Sequence, residues 1–296
     1  MSNTYKVVAL LSVFVLSSAA FVFGTSNVLK SRYTVDIDIN DAARVPAPDT
    51  ERYANVLNAF VDDSGLVNYA ALKANPADLN AYLRSVANLD PATFKTWPTA
   101  ARIAFWCNAY NAYTLKAIID HYPIRSTFFR SLKHPKNSIR QIAGVWDRLE
   151  WPVLGTPMTL DAIEHEILRA KFDEPRIHAA LVCAARSCPP LRNEPYTGIQ
   201  LEEQLNAQMA AYLSDPKRFR IDYDKYVVHL SSILEWYGED FVKTYGVEEG
   251  FGGRSRVERA VLNAIAPHIP AEDATFLRTA EYDVAYLDYD WSLNEQ

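Results

Sequence analysis

Three short stretches hold the side chains that could do chemistry. The richest runs Arg176-Ile177-His178-Ala179-Ala180-Leu181-Val182-Cys183-Ala184-Ala185-Arg186-Ser187-Cys188-Pro189-Pro190. A thiolate is the nucleophilic and metal-binding form of cysteine, and nearby cationic groups favour it. Cys188 could therefore be a nucleophile, with Arg186 and Ser187 beside it and His178 or His165 as its base. The same Cys183 and Cys188 could instead form a disulfide. A third option is zinc held by Cys183, Cys188, His165 and His178, although the C-x₄-C spacing lacks a second paired set. A disulfide and a nucleophile exclude each other at Cys188. Cys107, the remaining cysteine, reads as a small buried hydrophobe.

The second stretch is Asp161-Ala162-Ile163-Glu164-His165. On a helix, Asp161 and His165 are four residues apart, so the carboxylate can hold one ring nitrogen. Glu164 falls between Leu160 and Leu168, close to the apolar face. A carboxylate drawn toward a core is costly unless paired, which marks Glu164 as a site residue or half of a buried pair. Glu166 and Arg169 are expected to point to solvent. The third stretch is Phe105-Trp106-Cys107-Asn108-Ala109-Tyr110-Asn111-Ala112. Its helical stripes leave Asn108 and Asn111 facing inward, where an unpaired amide costs about 1–3 kcal/mol. Each must bond either backbone or a ligand; in a catalytic site they would donate to an oxyanion.

Elements must position these groups. The pattern predicts helices over about 51–60, 76–86, 99–121, 159–170, 200–213, 232–245 and 257–265. Asn75 is a plausible cap for the second, with Pro76 at its first position. Ser232 and Glu235 read as a capping box. The run Ile177–Cys183 has two apolar faces and reads as a buried strand that carries His178. A histidine in such a strand is more often a satisfied core residue than a catalyst. Further strands are expected near 226–230 and 284–289. No repeat or composition break follows residue 50, so residues 51–296 read as a single α+β domain, mainly helical with a small central sheet.

The chain has 296 residues, 49% hydrophobic and 22% charged, an ordinary globular make-up that excludes a disordered or fibrous body. The net charge of −6 gives no footprint for nucleic acid. Aromatic residues reach 12%. Their concentration in the chemical stretches points to core and pocket walls rather than a sticky surface. Lys6 followed by the uncharged run Val7–Phe23 reads as a secretory signal over residues 1–24, with an N-terminal anchor as the second choice. Residues 25–50, with Pro46 and Pro48, read as a tether. The expected place is periplasmic or secreted, touching the inner membrane only through the N-terminal segment.

The motifs together resemble the domain-of-unknown-function family numbered five hundred and forty-seven. They are FWCNAYNA at 105–112, DAIEH at 161–165, RIHAALVCAARSCPPL at 176–191 and SSILEWYGEDF at 231–241, with GLVNYAALK at 65–73 and YDWSLN at 289–294. The resemblance covers roughly 55–294 and implies secreted or anchored bacterial relatives, but no reaction. The family pattern has an aliphatic residue at the place of Cys107, which argues against a nucleophile there. It has Phe at the place of Ala179 and glycine near Ala184. A cysteine, a histidine and inward amides on one α+β body also look like the papain and transglutaminase-like group, in permuted order.

Three functions follow as expectations. One is a cysteine-dependent amide hydrolase or acyl transferase acting on an unknown small molecule or peptide, with catalytic Cys188, His178 and Glu164, and with Asn108, Asn111, His165, Arg186, Ser187 and Cys183 binding. Another is a non-catalytic envelope module that binds a peptide, glycan or partner, with Cys183–Cys188 as a structural clip. The last is the His/Cys zinc site; otherwise no cofactor is expected.

Overall fold

The computed structural model describes residues 33–34, 44–126 and 132–296. The expected signal at 1–24 and the first part of the expected tether lie outside the described residues. The chain enters on a short strand, β1 (Tyr33–Thr34), and helix α1 (Thr50–Phe60) follows, with Asp49 accepting from the Arg52 amide as its N-cap. Between them, Val45 pairs with the end of helix α3 (Ala77–Asn88): its amide donates to the Asn88 carbonyl at 3.0 Å, and its carbonyl accepts from Asp90. This stretch lies within the residues 25–50 expected as a tether. Backbone hydrogen bonds dock it.

Helix α2 (Tyr69–Ala74) precedes α3, and Asn75 ends it, with both its backbone and side-chain nitrogens donating to the Ala71 carbonyl. The sequence placed Asn75 at the start of the next helix. The amide instead satisfies an orphan carbonyl of the preceding one, and Pro76 takes the N-cap position. After the short α4 (Pro91–Lys95) comes α5 (Thr99–His121), buried almost continuously from Ile103 to Ile119. A helix apolar on nearly every side must be surrounded. α5 is accordingly the axis of the first core, walled by Tyr53, Leu79, Leu83, Trp151 and Ile163.

β2 (Leu149–Val153) and β3 (Thr156–Met158) form a hairpin, and β1 pairs with β2 in parallel. The hairpin loop is Leu154-Gly155, with φ of 54° and 75°. Two positive φ values define the turn that matches the twist of the flanking strands. Thr159 then caps the next helix, its Oγ1 accepting from the Ala162 amide. This helix, α6 (Ala162–Leu168), is π-helical and continues as α7 (Arg169–Lys171). π turns are rare and concentrate at functional sites.

The largest departure from the sequence expectation is at Ile177–Cys183. The segment is no strand: Ile177–Ala180 forms one helical turn, α8, and Leu181 to Cys183 runs extended outside any sheet. A short run with two apolar faces carries no period that separates helix from strand. Burial itself was read correctly. Helix α9 (Leu201–Leu213) follows, then β4 (Phe219–Asp222) and β5 (Val227–Ser231), antiparallel to each other.

The expected helix over 232–245 is two helices, α10 (Ser232–Trp236) and α11 (Gly238–Tyr245), parted at Tyr237. Ser231, not Ser232, is the N-cap; Ser232 Oγ donates to the Leu287 carbonyl instead. Gly238 lets α11 lie close on α12 (Arg256–Ile265), since a Cβ there would sit 2.7 Å from Val257. α13 (Ala271–Thr279) and β6 (Asp283–Leu287) complete the chain, β6 adding to β5 in parallel. The architecture is α+β within one unit spanning Arg32–Gln296, with two small three-stranded sheets in place of the single central one expected. A second core of Phe219, Val228, Phe241, Leu262 and Leu277 sits among α11, α12, α13 and the second sheet.

Candidate functional site

One cavity of about 200 Å³ gathers most of the chemical residues. His178 from α8, Glu164, His165 and Asp161 from α6 and its cap, and both Cys183 and Cys188 line it. Aromatic rings complete the wall: Tyr110, Trp146, Trp236, Tyr237, Tyr289 and Trp291. The break at Tyr237 explains two of them, because ending α10 there turns Trp236 and Tyr237 onto the cavity. Trp291 is stacked on Trp236 and packs at a tilt against Tyr289, and Arg140 lies over its face at 4.1 Å.

His178 is oriented from behind. Its Nε2 donates to Asp240 Oδ2 at 2.8 Å, and its ring stacks on Tyr237 with centroids 4.1 Å apart. Asp240 also receives a two-pronged pair from Arg169, Nε at 2.5 Å and Nη2 at 2.9 Å. Burial pushes the Asp240 pKa up, but the His178 and Arg169 hydrogen bonds outweigh it and hold the carboxyl far below its usual range. Asp240 is therefore ionised and can only accept, which fixes the His178 proton on Nε2. Among the described residues Nδ1 has no hydrogen-bond partner. Arg169 was expected in solvent; the wide π turn and the Asp240 pairing draw it inward.

His165 takes the opposite tautomeric constraint. Arg169 Nη1 donates to its Nδ1 at 2.8 Å, so Nδ1 is the acceptor in this contact. Its Nε2 is 3.9 Å from Asp161 Oδ1, the i,i+4 neighbour that the sequence placed there. Glu164 is buried beside the Tyr110 and Tyr237 phenols. Both phenols have pKa values pushed well up, first by burial and then by the Glu164 charge. They stay protonated and can donate to that carboxylate.

Cys183 and Cys188 are joined as a disulfide. A bonded sulfur carries no thiolate, so the nucleophile expected at Cys188 would require the pair to be reduced. The Cys183 amide donates to Cys188 Sγ at 2.8 Å, and the Tyr289 hydroxyl lies 3.1 Å from Cys183 Sγ. Cys188 sits in a turn rather than at a helix N-terminus, unlike the papain arrangement. Cys107 is fully buried, and burial pushes its thiol pKa up. Among the described residues no three His, Cys, Asp or Glu side chains converge to hold a metal ion. His178 and His165 are turned to Asp240 and Arg169, and the two sulfurs to each other.

The remaining expected binders are structural ties. Asn108 donates to the Tyr196 carbonyl at 2.8 Å and accepts from the Tyr196 amide at 2.9 Å. Asn111 brackets α8 in the same way, donating to the Ala180 carbonyl and accepting from the Val182 amide, both at 2.9 Å. Neither lines the cavity; the hydrogen bonds they make brace backbone. Ser187 Oγ accepts from the Asp290 amide, and Arg186 donates to the Glu295 carbonyl. Together with the Arg186 and Ser187 amides, these bonds zip the C-terminal YDWSLN segment along the cysteine turn.

Residues 94–213 match the family model described as Protein of unknown function, DUF547. This is the family the motifs resemble. The matched segment reaches from Phe94 to the end of α9. It holds Glu164, His178 and both cysteines, and stops short of Tyr237, Asp240 and Trp291. The cavity is thus closed by residues beyond the DUF547 segment. No curated protein and no solved structure matches the chain. The sequence pointed to aromatic pocket walls in general but missed the roles of Asp240, Arg169, Arg140 and Trp146. Asp240 lies within the SSILEWYGEDF motif, and an acid there was the one available signal.

Proposed function

We propose that the chain is an exported envelope protein that binds a small molecule or a chain end in the aromatic cavity. The observation that carries the reading is the six-ring wall around a buried acid and an oriented histidine. Flat rings supply apolar contact at low entropic cost, and a few fixed polar groups supply orientation. The bonded cysteines favour this reading over a thiol enzyme. Trp146, Trp236 and Trp291 give it a direct readout. A fragment panel of small peptides and saccharides, followed by tryptophan fluorescence and ligand-observed NMR, should give hits that weaken about tenfold in Trp291→Ala, the scale of one lost aromatic contact. Hits that are indifferent to Trp291→Ala, or no hits at all, would overturn it.

A second reading is favoured by the Asp240–His178 pair. With the disulfide reduced, Cys188 would share the cavity with a histidine held as in thiol hydrolases, and amide hydrolysis or acyl transfer becomes chemically open. Its test is activity toward activated esters that appears only with a reductant and vanishes in Cys188→Ser. Export rests on the N-terminal segment; among the described residues no helix is long and apolar enough to cross a membrane. Fractionation of the full chain tests it, with a cytoplasmic location as the contrary result.

A further inference from the structure

The two sulfurs of the pair are placed unequally. Both line the cavity, but Cys183 is half-buried whereas Cys188 is only 2% exposed. The Cys183 amide aims its hydrogen at Cys188 Sγ, 2.8 Å away. A backbone N–H directed at sulfur favours the charged form of that sulfur. In thiol–disulfide exchange, access decides which sulfur is attacked, and the better-stabilised thiolate leaves faster. Here the accessible sulfur and the better leaving sulfur are different atoms, which gives the pair a direction.

We propose that Cys183–Cys188 is a redox-active disulfide that exchanges with an external dithiol, with Cys183 as the attacked sulfur and Cys188 as the leaving one. A donor thiolate attacks Cys183 Sγ. The Cys183–Cys188 bond breaks and its electron pair departs on Cys188, which the Cys183 N–H receives. The donor's second thiolate then attacks its own sulfur in the mixed disulfide and releases Cys183. Two electrons and two protons pass from the dithiol to the pair, which ends as two thiols, while the donor becomes a disulfide. Tyr289 assists the second release. Burial pushes its pKa well up, so its hydroxyl keeps a proton and can donate to the departing Cys183 sulfur.

The pocket reading is independent of this activity, because a ligand could bind beside an inert clip. The test uses the full chain with dithiothreitol as donor and iodoacetamide as quench, read by peptide mass. Cys107 is an internal monitor: it is 0% exposed and stays unlabelled while the core is intact. The expected result is reduction of the pair with Cys107 still unlabelled. With 2-mercaptoethanol and a rapid quench, the mixed disulfide should sit on Cys183 and the carbamidomethyl group on Cys188, by about tenfold over the reverse. Cys188→Ser removes the resolving sulfur, so with oxidised 2-mercaptoethanol it should hold a lasting adduct on Cys183. Reduction only alongside Cys107 labelling would overturn the proposal, as would an adduct mainly on Cys188, or two free thiols before any reductant. Fragment binding measured on the same sample tells whether the pocket reading fails with it.

Discussion

On α5, Asn108 and Asn111 each donate one hydrogen bond to, and accept one from, the backbone of another segment, and neither lines the cavity. Across the cavity wall, His178 and Glu164 are equally buried, yet each turns part of its capacity toward an open space. Both regions are polar residues on buried elements, and in the sequence they look alike. What separates them is the partner. A buried polar group satisfied by backbone holds the fold; one satisfied by other side chains at a cavity edge is held ready for something else.

The comparison predicts that the amides matter most for stability. Asn111→Ala orphans the Val182 amide and the Ala180 carbonyl together, next to the turn that aims His178. At about 1–3 kcal/mol for each buried unpaired group, the loss should be about 2–6 kcal/mol and lower Tm by several degrees or more. Calorimetry checks it. A near-neutral Asn111→Ala would mean that α8 does not depend on this bracket.

Asp240 tests the cavity side through pH. Its folded pKa is depressed, so its contribution is fully present above the unfolded value near ~3.9 and is lost as pH falls toward the folded value. Asp240→Asn should be less stable than the parent at pH 7, and the gap should narrow below about pH 4. Urea unfolding at several pH values reads this out. A gap that stays constant with pH would show that the Arg169–Asp240–His178 chain carries no linked charge.

A smaller effect lies between the two regions, at the turn after Cys183. Ala184 has φ of 57° and is buried, in the left-handed conformation that disfavours a side chain. Ala184→Gly should relieve that strain and gain about 0.5–1 kcal/mol, set against the entropy glycine costs in the unfolded chain. Denaturant midpoints at unchanged slope would confirm the gain.

Much of this was legible. The periodicity of α5, α9 and α12 gave their spans because long amphipathic or all-apolar runs leave little choice. Inward Glu164 and the Asp161–His165 neighbours followed from helical spacing. The helical turn at Ile177–Ala180 did not, because its run is too short to show a period. Asp240 was hidden for a different reason: its partners lie 62 and 71 residues away, and no local pattern encodes them. The state of Cys183 and Cys188 was equally beyond spacing, since three chemistries share one C-x₄-C pattern.

The sharpest test of the contrast is the smallest in stability. Glu164→Gln keeps a side chain that the Tyr110 and Tyr237 hydroxyls can bond, and removes the charge that raises both phenol pKa values. Gln fills nearly the same volume, so the stability change should stay within about 1 kcal/mol. Ligand response should not stay the same: a neutral amide is a weaker acceptor than a carboxylate, worth roughly 1.5–3 kcal/mol less one ordinary hydrogen bond. Tryptophan fluorescence titrations with the fragment hits should therefore weaken by about tenfold while urea unfolding hardly moves. If Glu164→Gln instead destabilises as much as Asn111→Ala and leaves binding intact, then Glu164 is scaffolding like the α5 amides, and the cavity loses its claim to be built differently.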